Sequence, residues 1–306
     1  MKILVISSNL IGDTILSTCV INHFLSLYPN SKFTFIVGPT SGQIYKNFLQ
    51  KDKIFIIKKK KFNLHWLDIY KCCISNRWDI IIDLRSSLIS YFVPSKKSYI
   101  FKKNNNLNHL EQLKKSFNFV NSSLFIETSK EEEEEVVNQL DDNFKYVAIF
   151  PGGNWDPKIW PVEYFNKLIQ ILNYKYNNLQ FILVGSLEEK NVYLNKIKQN
   201  LPQNIFLDLF GKSLTLTSAY LKKTNLFIGN DSGLMHLSIA SNCVTIGLFG
   251  PTNDKIYGHK NTNSYVIRTK ENYEFFSKSL IDDTKSYMTS LEPKEIINLI
   301  EKEKLL

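Results

Sequence analysis

Short runs of consecutive apolar residues recur along the chain, separated by stretches of helical spacing. Lys2 to Ser7 is the first such run. A polar turn holding Gly12-Asp13 follows, and in Thr14 to Tyr28 the residues Ile15, Cys19 and Leu25 keep helical spacing. Pro29-Asn30 ends that helix, and Lys32 to Val37 reads as the next strand. Ile54 to Ile57 and Asp79 to Leu84 supply two more. Strands covered on both faces read as continuous apolar runs, so the alternation predicts a parallel sheet between helical layers. The pattern lapses from Pro94 to Asn108, where Lys and Asn are frequent. His109 to Phe119 then reads as a helix and Ser122 to Ile126 as a short strand.

Glu131 to Glu135 fits the first turn of a helix capped by Thr128 or Ser129, where negative charge meets the helix dipole favourably. Tyr146 to Phe150 opens a second alternating system. After Pro151-Gly152-Gly153 it predicts helices over Val162 to Leu172, Glu188 to Gln199, Leu216 to Lys223 and Leu234 to Ser241. Strands at Phe181 to Val184, Ile205 to Asp208, Leu226 to Ile228 and Val244 to Phe249 alternate with them, and Pro293 to Lys304 is the closing helix. The pattern predicts two α/β domains, 1–140 and 141–306, with an interdomain cleft between facing sheet edges and the last helix packing back toward the first domain.

Composition narrows this picture. A 306-residue chain with 43% hydrophobic and 13% aromatic residues can build sizeable cores, which excludes global disorder. The net charge of +9 is uneven: residues 1–127 hold 18 basic and 7 acidic side chains, the remainder 20 and 22. Cys19, Cys72, Cys73 and Cys243 show no CxxC spacing, and an adjacent pair is a poor disulfide, so reduced cysteines in a cytoplasmic protein are expected. The opening residues lack a leader-type cleavage pattern, and no apolar run approaches the ~18 residues a membrane span requires. Attachment to a membrane surface stays open.

Neither a P-loop nor GxGxxG occurs, and the histidines lack zinc-binding spacing. Asp13 has two readings, a helix cap or a general base at a strand end. Gly152 and Lys158 suit either an exposed turn or a phosphate contact. Asn230-Asp231-Ser232-Gly233, between an apolar strand and a helix, is the sharper signal, because backbone N–H groups there can hold a diphosphate. His236 lies one turn into that helix, facing a ligand or buried and hydrogen-bonded. Gly250-Pro251-Thr252 ends the next strand and borders the same crevice. Lys58, Lys59, Lys60 and Lys61, followed by Phe62 and Trp66, suit a solvated loop, a membrane or a nucleic acid.

Taken in order, these segments resemble glycosyltransferase family 9, the heptosyltransferases of bacterial lipopolysaccharide. The resemblance rests on KILVISSNLIGDTILSTCVINHFLSLYP, WDIIIDLRSSLIS, FPGGNWDPKIWPVEYFNKL, FILVGSLEEK, DLFGKSLTLTSAYLKKTNLFIGNDSGLMHLSIA and CVTIGLFGPTN. It implies a GT-B fold of two Rossmann-like domains, with the acceptor on the first and a nucleotide-sugar donor on the second. It also implies inverting transfer of heptose from ADP-heptose, with no metal in the chemical step and no further cofactor. Asp13 matches the family's catalytic base and Lys158 the lysine near the donor phosphates. Glu188, or less securely Glu189, matches the acidic residue at the nucleoside. Asp231, Ser232, Gly233 and His236 match the donor loop, with Met235 approaching the adenine. The chain departs from many relatives in having Ser7-Ser8-Asn9-Leu10-Ile11 where they carry an arginine. The expected partners are a nucleotide sugar, an anionic glycolipid acceptor and the cytoplasmic face of the inner membrane, not a nucleic acid. Lys58 to Lys61, Lys96, Lys97, Lys102 and Lys103 are the expected contacts to acceptor or membrane. Another donor sugar for a surface glycan, or a non-catalytic binding module, are the alternatives.

Overall fold

The computed structural model describes residues 1–74, 76–259 and 263–306, and the chain divides into two units, Met1–Ser129 and Lys130–Leu306. The first contains β1 (Lys2–Ile6), α1 (Ile11–Leu16), α2 (Thr18–Leu27), β2 (Lys32–Val37), β3 (Lys51–Ile56), α3 (His65–Ile74), β4 (Trp78–Asp83), α4 (Ile89–Phe92), β5 (Ser95–Ile100) and α5 (His109–Phe117). Its five strands are parallel in the order β3-β2-β1-β4-β5. The apolar runs of β1 and β4 occupy the centre, where both faces are covered and Ile3 to Ile6 and Ile80 to Ile82 are buried. Ile69 and Cys73 of α3, with Ile89 and Val93 at α4, pack on one face against Leu4, Ile6 and Ile81. Phe33, Phe35, Tyr45 and Phe48 form an aromatic cluster, with Phe35 and Tyr45 stacked at 4.0 Å.

The second unit runs α6 (Lys130–Gln139), β6 (Lys145–Phe150), α7 (Val162–Lys175), β7 (Leu179–Leu183), α8 (Leu187–Lys198), β8 (Phe206–Asp208), α9 (Leu214–Leu221), β9 (Leu226–Asn230) and α10 (Gly233–Ala240). It continues through β10 (Thr245–Phe249), α11 (Asp254–Tyr257), β11 (Ser264–Arg268), α12 (Tyr273–Ser277) and α13 (Pro293–Glu303). Its six parallel strands are ordered β11-β10-β9-β6-β7-β8. Trp160 is buried at the start of α7, edge-on to Phe165 with centroids 4.7 Å apart, and its indole N–H donates to the Leu291 carbonyl at 2.7 Å.

Several expectations change. The stretch expected to lapse contains β5, an edge strand whose SKKSYI sequence has no apolar period because little covers it. Ser122 to Ile126 forms no strand. The Ser122 hydroxyl donates to the Cys19 carbonyl at 2.6 Å, and the Phe125 N–H donates to Thr18 Oγ1 at 3.2 Å, so these groups bond to α2 instead of a ladder. The helix expected over Thr14 to Tyr28 is divided at Ser17, whose hydroxyl donates back to the Asp13 carbonyl at 2.7 Å. The closing helix packs within its own unit: Ile296, Ile297 and Ile300 join Phe165, Leu168 and Leu172 of α7 in one core, and Lys175 pairs with Glu301.

The division also falls earlier than residue 140, and α6 belongs with the second unit. Buried Val136 faces inward, Glu132 Oε1 accepts from the Thr215 hydroxyl of α9 at 2.6 Å, and Glu135 lies near Tyr220. Val136→Ala removes two buried methyl groups and is expected to cost about 2 kcal/mol. Hydrogen exchange should then accelerate in α9 and not in the β1–β4 sheet. Acceleration confined to the first unit would restore the later boundary.

Candidate active site

In both sheets the strand order reverses beside the first strand of the unit, between β1 and β4 and between β6 and β9. Loops leaving the carboxyl ends of such a strand pair diverge, and doubly wound sheets bind ligands in the crevice so formed. Pro151-Gly152-Gly153 leaves β6, and Asp231-Ser232 leaves β9 into α10.

The side chain of Asn230 joins the two. Fully buried at the end of β9, its amide nitrogen donates to the carbonyls of Pro151 at 3.1 Å and Gly152 at 2.9 Å. Its oxygen accepts the Trp160 N–H at 3.0 Å. Tyr287 N–H donates to the Pro157 carbonyl at 3.0 Å, and the Ser286 hydroxyl donates to the Ile159 carbonyl at 2.6 Å, bracing the same loop from outside. Gly152 has no room for a side chain, because a Cβ there would stand 1.9 Å from Glu189 Oε1. Glu189 completes a capping box with Ser186, accepting the Ser186 N–H at 2.7 Å. Glu188 is exposed on the first turn of α8, its carboxyl held below the usual range by its own backbone N–H and the Ser186 hydroxyl. Glu189, then, stands over Gly152 and is engaged at the helix cap, while Glu188 is presented to solvent.

Lys158 ends a single 3-10 turn beside this loop, and Asp231 follows Asn230. Burial lowers the Lys158 ammonium below its ordinary range, with Asp231 pulling it back. Burial likewise raises the Asp231 carboxyl, opposed by Lys158 and the Thr252 hydroxyl and reinforced by Asp254. Each group thus offsets part of the burial cost of the other's charge. Ser232 is the N-cap of α10, its hydroxyl accepting the Leu234 N–H at 3.2 Å, and Gly233 is the first helical residue. The N–H groups of that first turn lack partners within the helix. At the next strand end, Arg268 donates to the Gly250 carbonyl at 2.8 Å and pairs with Asp254, fixing the turn that carries Thr252.

Met235 of α10 is buried with its sulfur against the open face of Gly247, where a Cβ would lie 2.4 Å away. His236 is buried, and its Nδ1 lies 3.0 Å from Nε2 of His259. Sequence spacing gave no sign of His259, because the pair is formed by folding across 23 residues. Asn230 did have a signal: an amide side chain closing the apolar run LFIGN.

In the first unit Asp13 occupies the third position of α1, not its cap; Leu10 is the cap residue and provides no side-chain bond. The Asp13 carboxylate accepts the Ser8 hydroxyl at 3.4 Å, and Ser8 Oγ accepts the Leu10 N–H at 3.1 Å. His109, at the start of α5, is lowered below the ordinary imidazole range by burial, with Asp13 opposing and Lys103 assisting. The lysines fall into separate groups. Lys58 to Lys61 follow β3 and Lys102-Lys103 follow β5, at the carboxyl edge where α1 begins. Lys96 and Lys97 lie within β5, and Lys96 is paired with Asp79 at 2.6 Å near the opposite edge. Among the described residues no group of three or more His, Cys, Asp or Glu could hold a metal ion, and no helix is long and apolar enough to cross a membrane.

The family model of glycosyltransferase family 9 (heptosyltransferase) matches residues 107–283. Lipooligosaccharide heptosyltransferase 2 of Campylobacter jejuni is 27% identical over 272 residues, 82% of each chain. The crystal structure of the glycosyl transferase family 9 from Veillonella parvula superposes with a TM-score of 0.79 at 20% identity, over 99% of this chain and 97% of that one. E. coli ADP-heptose lps heptosyltransferase II gives 0.75 at 17%, over 100% and 99%. The family match spans more than half of the sequence, and the fold is shared end to end. The chain, a two-domain GT-B protein with parallel sheets, belongs to glycosyltransferase family 9, the heptosyltransferases.

Proposed function

We propose that the chain transfers heptose from ADP-heptose to a hydroxyl of a lipopolysaccharide or lipooligosaccharide core precursor, with inversion at the anomeric carbon. The names of its relatives supply the donor and the class of acceptor. The observation that carries the reading is the convergence at the β6/β9 switch point. An amide-fixed glycine turn, a half-buried lysine and the N-terminus of α10 lie together there, and a leaving diphosphate needs all three.

The acceptor oxygen attacks the anomeric carbon while the bond from that carbon to the diphosphate oxygen breaks. Asp13 takes the acceptor's proton, and the electron pair of the broken bond leaves on the diphosphate. Negative charge therefore grows on the phosphate oxygens in the transition state. Lys158 and the N–H groups of Ser232 and Gly233 offer positive potential that water would have to reorganise to supply. With that charge in place the proposed step calls for no metal. Burial of His109 beside Asp13 disfavours its charged form.

A thermal-shift panel of ADP-, GDP-, UDP- and CMP-linked sugars tests the donor; stabilisation by ADP-heptose alone is expected, followed by EDTA-resistant transfer to a glycolipid fraction. Stabilisation by a different nucleotide sugar would replace the donor. Asp13→Asn should lower turnover by about 10²–10⁴ while leaving the ADP-heptose shift intact. The same change removes the charge that supports protonation of His109, so its imidazole should titrate further below the ordinary value of about 6.5 by NMR. Because the folded state prefers neutral His109, its stability contribution is present above that value and lost as pH falls. Unchanged turnover in Asp13→Asn would remove Asp13 from the chemistry.

A further inference from the structure

Helix α3 carries two apolar faces where a surface helix ordinarily has one. His65, Ile69 and Cys73 point inward to the sheet. Leu67, Tyr70 and Ile74, at spacing i, i+3, i+7, are exposed on another side. The neighbouring α4 repeats the arrangement: Ile89 packs into the same core layer as Ile69 and Cys73, while Tyr91 and Phe92 stand about 70% exposed. Arg85, in the loop between β4 and α4, lies over the Trp66 ring of α3 at 4.7 Å. Just before α3, Phe62 adopts a left-handed backbone (φ 54°) and is 91% exposed. A non-glycine residue pays strain for that conformation, and here the strain accompanies an aromatic ring held in solvent.

Exposed lysines border this surface. Lys58, Lys59 and Lys61 precede or flank Phe62 and have no ion pair among the described residues; Lys60 is paired with Asp68 at 2.7 Å. Lys71 is exposed on α3 itself. The unit Met1–Ser129 holds 18 basic against 7 acidic side chains, whereas the other unit is slightly acidic. A second copy of this chain would bring like charges together across the face. A nucleic acid would satisfy the lysines and leave Leu67, Ile74 and Phe92 in water. An anionic bilayer satisfies both, since its headgroups attract lysine and its interface accepts aromatic and aliphatic side chains.

We propose that the α3/α4 face, with the Lys58–Lys61 segment, is a docking surface for an anionic phospholipid bilayer. Phe62 and Trp66 lie at the same edge of the sheet as α1, the helix that carries Asp13. If the glycolipid acceptor of the proposed function is correct, docking brings that edge to the membrane where such an acceptor resides; the docking itself does not require it.

Vesicle sedimentation of the full chain tests this, comparing pure phosphatidylcholine with phosphatidylcholine containing about 30 mol% phosphatidylglycerol and no glycolipid. Partition onto the anionic vesicles should be at least about tenfold stronger and weaken with salt. The triple variant Leu67→Ser, Tyr91→Ser, Phe92→Ser should lose about tenfold or more while keeping the wild-type melting profile and nucleotide-sugar shift. A separate Lys58→Gln, Lys59→Gln, Lys61→Gln variant should lose a similar factor and show a shallower salt dependence. Equal binding to both vesicles, or unaltered anionic binding in both variants, overturns the proposal. So does a wild-type dimer in sedimentation equilibrium that the apolar variant dissolves, which would make the face a protein interface. Because the vesicles hold no acceptor, failure here leaves the proposed transfer reaction untouched, and failure of transfer leaves the docking result readable.

Discussion

One buried amide organises the second unit's ligand edge. Asn230 donates to two successive carbonyls of the turn after β6 and accepts the N–H of Trp160. It thereby fixes two loops that no strand pairing controls. Each bond contributes only about 1 kcal/mol net, but removing the amide strands carbonyls and an N–H in a buried site at about 1–3 kcal/mol each. The indole of Trp160, held by Leu291, extends the bracing into the core beneath α7. Gly152 then packs directly against Glu189, and Lys158 is left at the end of the following 3-10 turn.

Rigidity at that edge gives the electrostatics their meaning. Lys158 and Asp231 sit where burial penalises both charges, and each is supported by the other. Without its partner, each charge would bear more of the desolvation cost. A preorganised, partly desolvated cation interacts with an arriving diphosphate more strongly than a flexible surface lysine does. In the proposed reaction, Asp231 acts through Lys158 and need not touch phosphate. In the first unit the carboxylate of Asp13 stands in a more open setting, with the Ser8 hydroxyl and the half-buried His109 as neighbours.

The central strands were legible in the sequence because both their faces are covered: β1, β4, β6, β7, β9 and β10 are apolar throughout or nearly so. The edge strands β5 and β11 were not, since SKKSYI and SYVIR receive their strand character from pairing with β4 and β10. The place of α6 was likewise hidden. KEEEEEVVNQ displays its charge, and the single inward Val136 and the Glu132 bond to Thr215 depend on residues some eighty positions away. At the site, turn chemistry marked Gly152, Ser232 and Gly233, because glycine and a capping serine have local reasons for their positions. The roles of Asn230 and Met235 are set by partners brought near only in the folded chain. The same holds for the His236–His259 pair.

The most direct test of this account is calorimetric titration of ADP and of adenosine into the wild-type chain and into Asn230→Ala. If the amide-held turn positions the diphosphate groups, the wild type should bind ADP at least about tenfold more tightly than adenosine, a difference of about 1.4 kcal/mol or more. That preference should fall to about twofold or less in Asn230→Ala, with a cooperative melt retained and adenosine affinity little altered. A folded Asn230→Ala protein that keeps the full preference for ADP would contradict the account.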